Sequence, residues 1–144
     1  MSLRRYLVDS NVLSRLSSEQ RTSTTFGQKC VLIEDVWFES RGFAEDSLGR
    51  LVRRPTRRTL ARLGEIMASI PPGDYGLVDL YDNKGMADPA LVAYAVALTD
   101  EERDALLPVE WVLVTEDKAL TDKATEFNIA VITREAFLAV LAQE

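Results

Sequence analysis

The sequence predicts an α/β protein: a three-layer α/β/α fold around a central parallel sheet of about five strands. Three observations predict it. Short apolar runs recur along the chain, each closed by polar turn or capping residues. Segments with helical spacing lie between them. Strand–helix alternation of this kind builds a parallel sheet with helices on both faces, because parallel strands need crossover connections. No repeat, low-complexity tract or long linker divides the chain, so one domain over 1–144 is expected.

The first strand is expected at 5–9, ending in Asp9. A short helix follows from Ser10 or Asn11 to about Leu16. The polar stretch Ser17 to Gly27 reads as a loop. A second strand is expected over 29–33, and a helix from Glu34 to about Gly42 with acids in its first turn, where the helix dipole favours them. Phe43 to Val52 reads as either loop or helix. Pro55 disfavours helix in the residue before it, so the next helix starts at Pro55 or Thr56 and runs to about Ile70. Its apolar stripe is Leu60, Leu63, Met67 and Ile70, with Ile66 beside them. Pro71-Pro72-Gly73 stops it, a strand follows over 76–80, and Tyr81 to Ala87 is a polar turn. Asp88-Pro89 marks a helix start, with the acid as N-cap. The helix to Leu98 is apolar nearly all round and is expected to be buried. Thr99 to Leu107 is a charged connection. Strands at 111–115 and 129–132 flank a helix from Asp117 or Lys118 to Phe127, and Thr133 caps a last helix to about Leu141.

Composition removes several classes of chemistry. The 144 residues contain no histidine and one cysteine. Ser-His-Asp and Cys-His catalysis are therefore excluded, as are zinc sites built on histidine or thiolate. A metal here has to be held by oxygen, which favours Mg2+ or Mn2+. The lone Cys30 sits among apolar neighbours, reads as a core thiol, and fits a reducing cytoplasm. No run approaches a membrane span, and the first residues lack the pattern of a signal peptide, so a cytoplasmic location is expected. The net charge is −6 but uneven. Six arginines and no acid lie between Arg50 and Arg62, so the remainder is twice as negative as the whole.

Several acids follow strands or open helices: Asp9, Asp88 and Asp117, joined by Glu39 or Glu34 on the second helix. Each has an ordinary reading alone. Asp9, Asp88 and Asp117 suit helix caps, and Glu39 suits a solvated surface charge. Taken together they share one edge of the sheet, where ligands of open α/β folds bind. Like charges held together require a neutralising cation, so the cluster implies a divalent metal. Glu34 and Glu39 stand about 140° apart around a helix and do not both face the site. Glu39 is preferred, because the dipole alone explains Glu34, which stays in reserve.

The segments Val8-Asp9-Ser10-Asn11-Val12-Leu13, Val36-Trp37-Phe38-Glu39-Ser40-Arg41-Gly42, Ala87-Asp88-Pro89-Ala90-Leu91-Val92-Ala93 and Leu113-Val114-Thr115-Glu116-Asp117 resemble, in order and spacing, the four acidic motifs of PIN-domain nucleases. The resemblance covers essentially the whole chain. Within that superfamily the short single-domain form resembles the VapC-type toxin ribonucleases. The resemblance implies a PIN-like fold, a divalent-metal-dependent ribonuclease, and the toxin of a type II toxin–antitoxin pair. Its acidic quartet carries over to Asp9, Glu39, Asp88 and Asp117, with Asp9, Asp88 and Asp117 as metal ligands and Glu39 completing the ring or orienting water. Its polar helpers carry over to Ser10 or Asn11 and to Thr115. It also implies an antitoxin partner and a homodimer. Where many relatives carry another acid, this chain has Ala119 and Leu120.

Phosphodiester hydrolysis assisted by one or two Mg2+ or Mn2+ ions suits such a cluster. Arg53, Arg54, Arg57 and Arg58 are the candidates for binding RNA phosphate. A solvated basic face, or a dock for an acidic antitoxin, is the competing reading of the same stretch. Trp37 and Trp111 read as core residues. The rival functions are a catalytically weak or inactive PIN-like module that binds RNA or a partner protein, and a haloacid-dehalogenase-type phosphatase. The latter needs a second Asp where Asn11 stands. A topoisomerase-primase-like module needs an Asp-x-Asp pair that the chain lacks.

Overall fold

A computed structural model describes residues 3–71 and 87–143. In chain order its elements are β1 (Leu3–Val8), α1 (Ser10–Arg15), α2 (Ser18–Arg21), α3 (Thr24–Lys29), β2 (Cys30–Ile33) and α4 (Glu34–Ser40). A 3-10 turn over Asp46–Leu51 leads into β3 (Val52–Arg53). Then come α5 (Arg57–Ala68), α6 (Ala87–Glu102), β4 (Val109–Val114), α7 (Lys118–Glu126), β5 (Ala130–Ile132) and α8 (Arg134–Ala142). The described strands form one five-stranded sheet in the order β3-β2-β1-β4-β5, every pairing parallel. Helices flank it, giving the expected three-layer α/β/α architecture. No helix among the described residues is long and apolar enough to cross a membrane.

The central strands are buried because both their faces are covered. Leu7, Val8, Leu32, Ile33 and Val114 are fully inaccessible. Tyr6 of β1 meets Phe137 of α8, with ring centroids 5.5 Å apart, and Phe137 meets Phe26 of α3 at 6.2 Å. α6 packs on β4 and β2 and is backed by α5. As the apolar run Ala90 to Leu98 within it requires, Leu91, Val92, Ala93 and Ala95 are buried on successive sides. Arg62 of α5 ties the two helices together, reaching Asp100 at 2.5 Å.

Three expectations are corrected. Ser17 to Gly27 is not a loop but carries α2 and α3, each opened by a serine whose hydroxyl accepts a backbone N–H, from Gln20 and Phe26 respectively. Short polar stretches rich in Ser and Thr are good caps as well as good loops, and here the caps prevail. The chain between Phe43 and Val52 is a 3-10 turn ending in the edge strand β3, so the described sheet closes at Val52–Arg53. The expected strand over 76–80 and the turn before α6 lie outside the described residues. Finally, α6 opens at Ala87 and runs on to Glu102, so Asp88 lies inside the first turn instead of capping it.

Candidate active site

The sheet order reverses direction between β1 and β4. The crevice outside the carboxyl ends of those two strands is the ligand position of open α/β sheets. Asp9 leaves β1 there, its N–H donating to Val114 O at 3.1 Å. It occupies the N-cap position of α1, yet its side chain makes no capping hydrogen bond. Instead the Thr115 hydroxyl donates to Asp9 Oδ2 at 2.8 Å. The backbone amides of Ser10 and Asn11, at the start of α1, also favour the charged carboxylate. The carboxylate is 3% exposed, and burial raises its pKa. The Thr115 hydroxyl and the Ser10 amide oppose the rise, and Asp117 adds to it.

Thr115 is itself buried and joins two of the acids, since its Oγ1 also accepts the Asp117 N–H at 3.1 Å. Asp117 caps α7, with Oδ1 accepting from the Leu120 N–H at 2.9 Å. The ordinary reading of Asp117 is therefore realised, with one oxygen committed to the helix. Glu39 stands on α4 at the exposed rim, where Ser10 Oγ donates to its Oε2 at 3.3 Å. Its pKa is raised, first by burial of part of the side chain and then by Asp9 and Asp35, while the Ser10 hydroxyl lowers it.

Asp88 carries the largest perturbation. Its carboxyl is pushed up to about 8, first by burial and then by the charges of Asp9, Asp117 and Glu39. The structure thus brings the four acids, carried on four different elements, within one electrostatic site. Strongly perturbed carboxyls in a crevice mark functional sites more often than chance allows. No three acidic side chains among the described residues are drawn up around one point as metal ligands. The four are coupled through their charges. The donor set fits a hard divalent ion, being all carboxylate with no sulfur or nitrogen.

Other candidates fall differently. Asn11 lies on the exposed side of α1, outside the cluster's side-chain hydrogen bonds among the described residues. Glu34 pairs with Arg54 at 3.5 Å, away from the cluster. Arg53 lies over the buried Trp111 ring, its guanidinium carbon 5.6 Å from the centroid. Arg57 and Arg58 are exposed in the first turn of α5, where the helix dipole disfavours cations. A residue missed from the sequence is Asp35. Burial raises its carboxyl, and it acts on both Glu39 and Tyr94. The signal was present, because Asp35 and Glu39 are four apart and share a helix face. A concavity of about 600 Å3 lined by Arg4, Arg5, Lys29 and Gln143 lies at the amino end of β1, at the other edge of the sheet from the acids.

No protein-family model matches the chain, and no curated protein shows significant similarity to it.

Proposed function

We propose that the chain is a divalent-metal-dependent endoribonuclease that hydrolyses phosphodiester bonds, acting as the toxin of a type II toxin–antitoxin pair. Mg2+ or Mn2+ is the cofactor, RNA the substrate, an antitoxin protein and a second copy of the chain the partners, and the cytoplasm the compartment. The observation that carries the reading is the Thr115 hydroxyl joining Asp9 and Asp117 across the β1–β4 switch point, beside an Asp88 carboxyl pushed up to about 8 by burial and by Asp9, Asp117 and Glu39. Four carboxylates crowded at a topological switch point destabilise one another, and a bound cation removes that penalty.

Asp9, Asp88 and Asp117 would hold the ion, with Glu39 at the rim. Bound there, a divalent ion supplies positive charge that polarises phosphoryl oxygens and acidifies water. The chain's own groups do the rest. Thr115 fixes Asp9 and Asp117 relative to one another by donating to one and accepting from the other. Ser10 holds the Glu39 carboxylate, the exposed base that can accept a proton from attacking water. Arg57 and Arg58 offer phosphate contacts beyond the negative edge.

The test is incubation of the protein with labelled RNA in Mn2+ or Mg2+, beside EDTA and the variants Asp9→Asn and Asp88→Asn. Metal-dependent cleavage lost in both variants is the expected result. Cleavage that persists in EDTA or in both variants refutes the assignment. RNA binding without any cleavage identifies a PIN-like binding module instead.

A further inference from the structure

A second concavity opens on the same edge of the sheet. It is a cleft of about 360 Å3 lined by Glu34, Trp37, Phe38, Gly49, Val52 and Arg54. Glu34 follows β2 directly and Arg54 follows β3, and both strands run parallel to β1. All three strand ends, and so Asp9, Glu34 and Arg54, face one way. At a strand spacing of about 4.8 Å, Arg54 stands roughly 10 Å across the edge from Asp9. At the stacked rise of about 3.4 Å per nucleotide, that distance is about three nucleotides.

The lining combines two kinds of group. Phe38 is 67% exposed although nothing about helix formation requires a phenyl ring there. Trp37 lines the same cleft, half-buried, with the Arg41 guanidinium carbon 5.0 Å from its ring centroid. Aromatic faces flanked by arginine are stacking platforms for unpaired bases. The Glu34 carboxylate stands in the wall, held at 3.5 Å by an Arg54 side chain that is itself 87% exposed. Such an exposed pair contributes little and re-forms easily around a ligand. A carboxylate is an acceptor only. It therefore selects a base edge with adjacent donors, which among the four RNA bases is the N1–H and N2–H2 edge of guanine. Arg54 is then placed to donate to guanine O6 or to a neighbouring phosphate.

We propose that this cleft receives an unpaired guanine of the RNA, placed about three nucleotides from the bond that is cut. The proposal rests on the ribonuclease reading for its substrate class, but its test does not use cleavage. End-labelled hexauridylate carrying one central guanosine, inosine or adenosine is titrated by fluorescence anisotropy in EDTA. The wild-type chain is expected to bind the guanosine oligomer about tenfold more tightly than the adenosine one, with inosine between because it lacks the 2-amino donor. Glu34→Gln abolishes that preference, and Phe38→Ala weakens every oligomer about tenfold. Phe38 is exposed, so its variant keeps the wild-type melting temperature and remains informative even where Glu34→Gln does not fold. Equal affinity for guanosine and adenosine, or unchanged binding in Phe38→Ala, overturns the proposal. The latter is the outcome expected where a partner protein covers Phe38. Guanine preference without Mn2+-dependent cleavage overturns the ribonuclease reading alone, and cleavage without preference overturns the cleft alone.

Discussion

Replacing Asp88 by asparagine is expected to stabilise the metal-free protein and abolish the proposed RNA cleavage. The substitution keeps the shape of the side chain and removes its charge. In the folded chain the Asp88 carboxyl is raised from an ordinary 3.8 to about 8. At 1.36 kcal/mol per tenfold change in proton affinity, that shift corresponds to a ceiling of about 6 kcal/mol. Asp88 is partly exposed, and screening by solvent reduces the figure to roughly 2 kcal/mol. The sign follows from which state holds the proton. Between pH 4 and 8 the folded protein binds the proton more tightly than the unfolded chain, so the wild type loses stability as pH rises through that window. Below pH 4 both states are protonated and the penalty vanishes. The asparagine variant pays none of it at any pH. Its melting temperature in EDTA should therefore equal the wild type's near pH 4 and exceed it by about 6 °C at pH 8.5, at roughly 3 °C per kcal/mol for a chain of this size. Thermal unfolding followed by circular dichroism at both pH values reads this directly. A variant no more stable than wild type at pH 8.5, or equally more stable at both, refutes the reasoning that crowded charge at Asp88 is costly.

The remaining predictions concern other links of the same structure. Added Mn2+ should raise the wild-type melting temperature more at pH 8 than at pH 6, because Asp88 must lose its proton for the ion to bind; an isothermal titration should show proton release at pH 6. Thr115→Val should cost about 1–3 kcal/mol by leaving the buried Asp9 carboxylate and the Asp117 N–H without their shared partner, and should lower cleavage about 10- to 100-fold, with Thr115→Ser restoring both. Changing Arg57 and Arg58 together to alanine should flatten the slope of log affinity for single-stranded RNA against log salt by about 1.4, at roughly 0.7 per phosphate contact. Arg21→Ala should destabilise the fold by about 2–4 kcal/mol. The guanidinium of this buried arginine donates to the carbonyls of Leu13 and Leu16 and to both oxygens of Glu45. Glu45 is held at about 2 by that pair, so its contribution is present above pH 4.5 and disappears as pH falls toward 2.

How much of this was legible in the sequence depended on the range of the interaction. β1, β2, β4, β5 and the buried α6 were readable because each is a continuous apolar run whose neighbours in sequence report its burial. The caps at Asp117 and Thr133 were readable for the same reason, since a cap acts within three residues. β3 was not readable. It is two residues long, and only its pairing with Leu32 and Ile33 makes it a strand. The same holds for Arg21, whose partner Glu45 is 24 residues away. Sequence pattern gave no reason to expect a buried guanidinium in a stretch that reads as solvent-exposed.

The acids show the limit most clearly, because four carboxylates on one edge are consistent with four caps or with one site. What separates the two is the direction of each side chain, and that is set by residues far away in sequence. Asp117 spends an oxygen on its helix, as a cap does. Asp9, in the same kind of position, makes no capping hydrogen bond and accepts instead from the hydroxyl of Thr115, 106 residues later. A chain selected only for stability would have no reason to place a carboxyl at Asp88 against three others. That local choice goes against stability, and it is what the proposed cation site requires.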